Sequence, residues 1–145
     1  MKLNVKFFSE LTNEQLYRIL KLRYDIFVLE QKSIYDEYDG KDYDAVHIFL
    51  QEKKEVLAYL RIYKKSNKVA SIGRVVVDQR FRKQGLGRKL MNEGINYIKS
   101  NWKTDRLEIG AQEYLKKFYE SFGFKPTSQP YDDCGVSHID MEMKL

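Results

Sequence analysis

Residues 72–91 read Ile72-Gly73-Arg74-Val75-Val76-Val77-Asp78-Gln79-Arg80-Phe81-Arg82-Lys83-Gln84-Gly85-Leu86-Gly87-Arg88-Lys89-Leu90-Met91. The β-branched first part is typical of a strand that is covered on both faces. Gly85 and Gly87 have no Cβ, so backbone N–H groups at the positive end of a following helix are open to an anion. Five cationic side chains surround this turn: Arg80, Arg82, Lys83, Arg88 and Lys89. The stretch therefore predicts a strand, a turn and a helix that together bind a ligand with several phosphates.

The rest of the chain predicts helices and strands in alternation around this stretch. A first helix should begin at the capping-box pair Thr12 and Gln15 and run to about Leu29. Hydrophobic runs predict strands at 45–51, 56–63 and 69–77, and the simplest arrangement of these is an antiparallel meander. A helix at 86–101, a strand at 106–110, a helix at 112–122 and a strand at 137–144 follow. This order predicts an α/β fold.

Length and composition limit the class of protein. A chain of 145 residues is expected to form one domain, 1–145, with a proper core. The hydrophobic fraction is 43%, and no apolar run approaches the roughly 20 residues that span a bilayer, so no membrane partner is expected. The single cysteine, Cys134, allows no internal disulfide and no cysteine-rich metal site, which favours a cytoplasmic location.

Charge is distributed unevenly along the chain. The net charge is +5, with cations concentrated between Arg80 and Lys89. The long loop predicted at 30–44 has the opposite character, because it contains Glu30, Asp36, Glu37, Asp39, Asp42 and Asp44. This polarity suits an anionic cofactor and a cationic substrate better than a continuous nucleic-acid track, so no nucleic acid is expected as a partner. We expect the acidic loop to form one wall of an amine-binding site.

Two motifs identify a family resemblance. Arg82-Lys83-Gln84-Gly85-Leu86-Gly87 is R-x-x-G-x-G, which differs from the phosphate loops of nucleotide hydrolases and dinucleotide-binding proteins. It resembles the acetyl-CoA pyrophosphate loop of the GNAT superfamily of N-acetyltransferases. Residues 115–124 resemble the second GNAT signature, a short helix with F-Y-x-x-x-G-F, here Phe118 to Phe124. Further stretches, among them Phe27-Val28-Leu29-Glu30-Gln31 and Gly135-Val136-Ser137-His138-Ile139, resemble the ElaA-like branch of that superfamily.

The resemblance implies a fold and a cofactor. The fold would be a GNAT-type mixed, mostly antiparallel sheet, flanked by helices on both faces and splayed between the fourth and fifth strands. Acetyl-CoA would lie in that opening, with no metal ion. Its pantetheine arm would bond to the backbone around Val75, Val76 and Val77. Its pyrophosphate would lie on the turn residues Arg82, Lys83, Gln84, Gly85, Leu86, Gly87 and Arg88.

The resemblance also implies acetyl transfer to a primary amine by direct attack, with Tyr119 at the family's position for the general acid. A phenol of pKa about 10 can protonate a departing thiolate of pKa about 8.5. Alternatively, Tyr119 is only a core aromatic beside Phe118 and Phe122. Four residues are candidates for the base: Glu30, His47, Glu108 and His138. Of these, His47 suits a structural role, His138 could line the substrate pocket, and Glu30 could bind the amine. Arg74 in a buried strand requires a partner, and Glu30 or Asp39 could be that partner.

Three functions remain open from sequence alone. The chain could acetylate a small-molecule amine, or it could acetylate a protein or peptide amine with the same machinery. It could also be a non-catalytic acyl-CoA sensor or phosphate-binding module, which would not need the phenol of Tyr119. The acceptor has no readable motif, and either a monomer or a homodimer is compatible with the sequence.

Overall fold

The computed structural model describes all residues from Met1 to Leu145. Eight strands form one sheet in the order β1-β2-β3-β4-β5-β8-β6, and β7 pairs with β8 outside that path. The strands are β1 (Lys2–Phe7), β2 (Val46–Glu52), β3 (Glu55–Lys64), β4 (Val69–Val77), β5 (Arg106–Gln112), β6 (Lys125–Pro126), β7 (Tyr131–Asp133) and β8 (Val136–Lys144). All strand pairs are antiparallel except β4 with β5, which is parallel. The expected mixed, mostly antiparallel sheet is confirmed.

Helices cover both faces of this sheet. The helices are α1 (Asn13–Arg23), which continues as a π-helix (Tyr24–Glu30), α2 (Leu86–Asn101) and α3 (Lys116–Glu120). Thr12 caps α1, because its side chain accepts from the Gln15 amide while Gln15 bonds back to the Thr12 amide, as the capping box predicts. No helix combines the length and the hydropathy that crossing a membrane requires.

The core has two parts, one on each face of the sheet. On one face, α2 buries Leu90, Met91 and Ile98 against strand residues such as Ile48 and Leu60, and each such side chain contributes about 1.5–3 kcal/mol. On the other face, α1 and the π-helix pack on β2, β3 and β4 through Ile19, Leu22, Ile26, Phe49, Tyr59 and Val76. The sheet is therefore held rigidly between two layers of helix.

The sheet opens between its fourth and fifth strands, as expected. The parallel pairing of β4 with β5 covers only Val69 to Ser71, opposite Arg106 to Glu108. The Ser71 hydroxyl donates to the Glu108 carbonyl at 2.7 Å where the pairing ends. Beyond Ser71, the edge of β4 that faces β5 has no strand partner. A bulge lies in this free part of β4, where Arg74 adopts a left-handed backbone with φ of 52°.

The elements differ from the sequence prediction at three places. β1 was not predicted, and its faces explain why: Asn4 is buried while Val5 and Phe7 are exposed. The helix predicted at 112–122 begins later, because Gly110, Ala111 and Gln112 continue β5 in antiparallel register with β8. β6 and β7 are too short and too exposed to produce a hydrophobic period.

Candidate active site

A cleft of about 430 Å³ lies where β4 and β5 separate. Its walls come from the π-helix, the free part of β4, the end of β5, α3 and the β7–β8 hairpin. Fourteen of the 25 residues that line the cleft are hydrophobic. Val75, Val76 and Val77, the residues expected to hold a pantetheine arm, all line it. Their unpaired strand edge can offer backbone hydrogen bonds to an extended ligand.

A second cavity of about 310 Å³ adjoins the cleft at the start of α2. Val77, Arg82, Gly87 and Phe118 line both cavities. The second cavity contains all the residues expected at the pyrophosphate except Gln84, which is exposed and lines neither cavity: Arg82, Lys83, Gly85, Leu86, Gly87 and Arg88. The two cavities together can hold a long ligand with an apolar arm and an anionic end.

The first turn of α2 is a donor surface. Gly85 is the N-cap residue, with φ of 77°, and no side chain caps the helix. The first intrahelical bond runs from the Lys89 amide to the Gly85 carbonyl, so the amides of Leu86, Gly87 and Arg88 have no backbone partner. A Cβ at Gly87 would lie 3.7 Å from both Phe118 and Val77, an ordinary contact distance, on the surface where the two cavities meet.

Arg82 and Glu30 form an ion pair at the end of the cleft that adjoins the second cavity. The Arg82 Nη2 lies 2.8 Å from the Glu30 Oε2, and the Arg82 Nε donates to the Val77 carbonyl at 3.3 Å. Gln79 also donates to Glu30. The hydrogen bond from Arg82 lowers the pKa of Glu30, so this carboxylate is ionised at neutral pH. Glu30 and Asp133 are the two carboxylates that line the cleft, and Glu30 is neutralised by its ion pair with Arg82.

Tyr119 lies on α3 with its side chain directed into the cleft. The ring is 6% exposed and packs edge-on against Phe118, with ring centroids 5.2 Å apart, and against Phe124. The hydroxyl makes no hydrogen bond to another protein group. Burial raises the pKa of Tyr119 well above its ordinary value, so the phenol is protonated throughout the neutral range. Such a group can donate a proton to a ligand in the cleft.

His138 lies on β8 and faces the same cleft. Its Nδ1 is 2.8 Å from the Val136 carbonyl, and its ring stacks on Tyr131. Because a carbonyl can only accept, Nδ1 carries the proton of the neutral ring and Nε2 carries the free lone pair. The Nε2 atom can therefore accept a proton.

The other two candidates for the base lie outside the cleft. His47 is 1% exposed, and its ring nitrogens contact the Tyr59 hydroxyl and the Asp42 carbonyl. Burial lowers the pKa of His47, which fits a neutral structural residue. Glu108 forms ion pairs with Lys65 and Arg106 at 2.8 and 3.0 Å. No group of three or more His, Cys, Asp or Glu side chains is placed to hold a metal ion.

The acidic loop does not offer its carboxylates to the cleft in the way the sequence predicted. Arginines of the helix and sheet bind three of them: Arg23, Arg61 and Arg74 hold Glu37, Asp39 and Asp42. The Arg74 Nε is 3.0 Å from Glu37 and its Nη2 is 3.5 Å from Asp39, so Asp39 is one of its partners and Glu30 is not. A buried arginine without a counter-charge would cost stability. The carboxylates of the acidic loop supply that counter-charge.

Two contacts join the opposite walls of the cleft. The side-chain amides of Gln31 and Gln112 bond reciprocally at 2.9 and 3.0 Å. The Ser33 hydroxyl donates to the Cys134 carbonyl at 2.7 Å, which ties the loop after the π-helix to the β7–β8 hairpin. Sequence reasoning missed both contacts, because the partners are 81 and 101 residues apart and no periodicity links them.

Comparisons with known proteins agree with this geometry. The chain matches the family model of the acetyltransferase (GNAT) domain over residues 9–145. It is 38% identical to the protein ElaA of Escherichia coli (strain K12) over 141 residues, which are 94% of this chain and 92% of ElaA. The crystal structure of E. coli ElaA has a TM-score of 0.92 to this chain, at 36% identity over 99% of both chains.

Two further crystal structures share the fold. An acyl-CoA N-acyltransferase from Pseudomonas aeruginosa has a TM-score of 0.91 and 32% identity over 99% of both chains. A GNAT family acetyltransferase from Elizabethkingia anophelis with acetyl-CoA bound has a TM-score of 0.65 over 99% of this chain and 98% of that one. That second likeness, at 18% identity, concerns the fold alone. With the family model matching nearly its whole length, the chain belongs to the GNAT acetyltransferase family, as an acyltransferase of the ElaA-like branch.

Proposed function

We propose that residues 1–145 act as one domain that transfers the acetyl group of acetyl-CoA to a primary amine. The observation that carries this proposal is the pair of joined cavities. One cavity presents free amides and cations for a pyrophosphate, and the other presents the unpartnered hydroxyl of Tyr119. A phosphate site alone would not need a buried, protonated phenol beside it.

The geometry supports acetyl-CoA as the co-substrate. A pyrophosphate fits the first turn of α2, where free amides and the helix dipole favour anions, with Arg82, Lys83 and Arg88 beside it. A mostly neutral pantetheine arm fits the unpaired edge of Val75, Val76 and Val77. The GNAT relative from E. anophelis, which has acetyl-CoA bound, supports the same assignment. We propose no metal ion in the reaction.

In the proposed reaction the amine nitrogen attacks the thioester carbonyl directly. Acetyl-CoA supplies the activated acetyl group. Tyr119 donates its proton to the thiolate sulfur as the carbon–sulfur bond breaks, and His138 accepts the amine's proton on Nε2, directly or through water. Tyr119 carries its proton until the thiolate forms, and burial disfavours a charged thiolate in this cleft as it disfavours the phenolate.

We give Glu30 a role that follows cofactor binding. Arg82 holds the Glu30 carboxylate in the structure described here. A pyrophosphate on α2 would compete for the same guanidinium, because phosphate oxygens and carboxylates are alternative partners for arginine. Once released, Glu30 would present a negative charge to an approaching amine. The amine would then be attracted after acetyl-CoA is in place.

The acceptor can be a small amine or the amine of a protein. The contacts between the cleft walls, from Gln31 to Gln112 and from Ser33 to Cys134, narrow the approach from the acceptor side. This narrowing favours a small molecule, and a protein or peptide amine is the alternative. We place the reaction in the cytoplasm, because the exposed thiol of Cys134 suits a reducing compartment.

The experiment that tests this function measures free thiol while the protein is incubated with acetyl-CoA and a panel of acceptors. The panel combines primary alkyl and aryl amines, amino acid amides, and peptides with a free N-terminus or lysine. We expect thiol release above the amine-free rate with at least one small amine. Release only with peptides would favour the protein acetyltransferase. Tight CoA binding without release from any acceptor would favour the non-catalytic sensor.

A further inference from the structure

Only two carboxylates line the cleft, and their surroundings differ. Glu30 is held by Arg82 and Gln79 at the cofactor end. Asp133 lies at the other end, on the β7–β8 hairpin, and no Lys, Arg or His nitrogen is within salt-bridge distance of it. Of the other acids in the loop, Glu37, Asp39 and Asp42 are held by arginines, and Asp36 and Asp44 do not line the cleft. The free negative charge of the cleft therefore resides on Asp133.

The hairpin register directs Asp133 into the cleft. Asp133 pairs with Val136 and Tyr131 pairs with His138. Side chains alternate along a strand, so residues directly across from each other share a face. Asp133, Val136 and His138 lie on the face that lines the cleft. Asp132 and Ser137 lie on the other face, where Asp132 accepts from the Gly135 amide and Ser137 donates to Glu113.

The tip of the hairpin is held in one position. Cys134 and Gly135 form its two-residue turn with φ of 51° and 88°, which is the left-handed pair that tight hairpins require. The Cys134 carbonyl accepts the 2.7 Å hydrogen bond from Ser33 on the opposite wall. Asp133 precedes this anchored residue, so its backbone is held in place at the wall of the cleft.

We propose that Asp133 is the counter-ion that selects a primary ammonium as the acceptor and holds it beside His138. This inference rests on the proposed function and deepens it, since it names the charge state of the substrate and the residue that recognises it. An uncharged acceptor of the same shape, such as an alcohol, gains nothing from this carboxylate. The His138 Nε2, on the same hairpin face, then accepts one proton of the ammonium, which frees the nitrogen lone pair for attack.

Calorimetric or NMR titration tests the proposal. The protein is saturated with CoA, and n-butylammonium chloride or butan-1-ol is titrated into it. Asp133→Asn keeps the size of the side chain and removes its charge. We expect the Kd of butylammonium to rise about tenfold, as expected for a partly screened charge pair, and the Kd of butan-1-ol to stay unchanged. Asp132→Asn is the matched control, because it changes the same charge on the face that points away from the cleft. The affinity for CoA should be the same in all three proteins.

Three results would overturn the proposal: no butylammonium binding to the wild-type CoA complex, equal butylammonium affinity in wild type and Asp133→Asn, or the same loss in Asp132→Asn. These results are separate from a failure of the proposed function. Butylammonium binding that depends on Asp133, without thiol release from acetyl-CoA, would support the ammonium site and count against acetyl transfer. Acetyl transfer that does not depend on Asp133 would support the proposed function and count against the ammonium site.

Discussion

Tyr119 combines two properties that sequence reasoning treated as alternatives. Its ring packs in the core against Phe118 and Phe124, as a structural aromatic would. Its hydroxyl faces the cleft without a protein partner. Phenylalanine would pack in the same way, so a tyrosine here points to a use for the oxygen that faces the cleft. A proton donor to a bound ligand is such a use.

Tyr119→Phe should lower kcat by roughly 10² to 10⁴, the usual effect of removing a positioned acid, with little change in CoA affinity. The variant keeps the ring and its packing and loses only the hydroxyl. Steady-state kinetics with chemistry shown to be rate-limiting measures the effect. Tyr114→Phe is the control, because Tyr114 also lines the cleft but is 71% exposed. A near wild-type kcat for Tyr119→Phe would remove Tyr119 from the mechanism.

Glu30→Gln should change the affinities for the two substrates in opposite directions. Releasing Arg82 from its ion pair should tighten acetyl-CoA binding by up to about fivefold, since an exposed pair is worth about 0.2–1 kcal/mol. Losing the carboxylate should raise the KM of the amine. Glu55→Gln is the control, because it breaks the exposed pair with Arg80 outside the cleft. Equal KM values for Glu30→Gln and the wild type, across several amines, would place Glu30 outside the site.

At the residue scale, the sequence identified several side chains of the cleft but not the residues that pair with them. Tyr119, Glu30 and His138 were all singled out, and all three line the cleft. Asp133 was not, because nothing in its local sequence distinguishes it from Asp132. Only the hairpin register and the neutralisation of the loop acids by arginines separate them. Such pairings depend on distances between residues far apart in the chain, which no local pattern encodes.

At the element scale, the start of α2 joins the two cavities. Glycine at position 87 leaves the helix amides uncovered, while the Cβ of another residue would meet Phe118 and Val77 at an ordinary contact distance of 3.7 Å. The helix itself does not need this glycine, because alanine favours a helix interior by about 1 kcal/mol over glycine. The proposed pyrophosphate contact would account for a glycine at this position.

Gly87→Val should weaken CoA binding by about tenfold or more, because its methyl groups would obstruct the amides proposed to bind the pyrophosphate and remove at least one charge-assisted hydrogen bond. The fold should remain intact. Isothermal titration with CoA and thermal denaturation measure the two effects. Gly94→Ala, on the buried side of α2 against Ile62 and Ile72, is expected to leave CoA affinity unchanged. Unaltered affinity in Gly87→Val would show that the backbone does not approach the pyrophosphate.

Element prediction succeeded where one periodicity dominates. The three central strands and α2 follow their hydrophobic patterns closely. Gly94 lets α2 pack closely on the sheet, because a Cβ there would meet Ile62 at 3.4 Å. The helix predicted to run from Thr12 to Leu29 is continuous, but its last two turns widen into a π-helix that carries Phe27 and Glu30 to the cleft. No propensity rule distinguishes these residues from ordinary helix.

At the scale of the whole molecule, a network of buried charges closes the cleft wall. Arg23 and Arg61 are 0% and 2% exposed, and the acidic loop supplies their counter-charges. Arg74, in the bulge of β4, connects this network to the cleft. Removing one member leaves a buried charge uncompensated, which typically costs about 3–5 kcal/mol. The loop and the splayed strand are therefore one structural unit.

The free energy of unfolding should decrease as the pH falls below about 4. Burial acts to raise the pKa of Asp39 and of Asp42, but the opposing effect of the arginines is larger. Hydrogen bonds from Arg61 to Asp39 and from Arg23 to Asp42 leave both pKa values below their ordinary values. A carboxylate whose pKa is lower in the folded state stabilises the fold above its unfolded pKa, and this contribution is lost as pH falls toward the folded value. Urea denaturation across this range measures the decrease. The unfolding free energy of Asp39→Asn should decrease less over the same pH range. A decrease as large as that of the wild type would contradict the role given to the Asp39 carboxylate.

The fold was largely predictable from the sequence, because a strong hydrophobic pattern marks the central strands and α2, and two glycine-containing motifs carry the family resemblance that implies the splayed sheet. The cofactor end of the site follows from the same local motif. The acceptor end does not, since it is assembled from the π-helix, the loop and the hairpin by contacts such as Ser33 to Cys134 and Arg74 to Glu37. These contacts are decided by burial and charge balance in three dimensions.

The central claim is that the cleft and the first turn of α2 form one acyl-CoA site. Thermal denaturation with and without CoA tests this claim most directly, because a ligand that binds only the folded state stabilises it by mass action. At a CoA concentration of about 100 times its Kd, the account predicts about 2.7 kcal/mol of added stability. Short duplex DNA at the same phosphate concentration should add none. Stabilisation by the DNA and none by CoA would contradict the account.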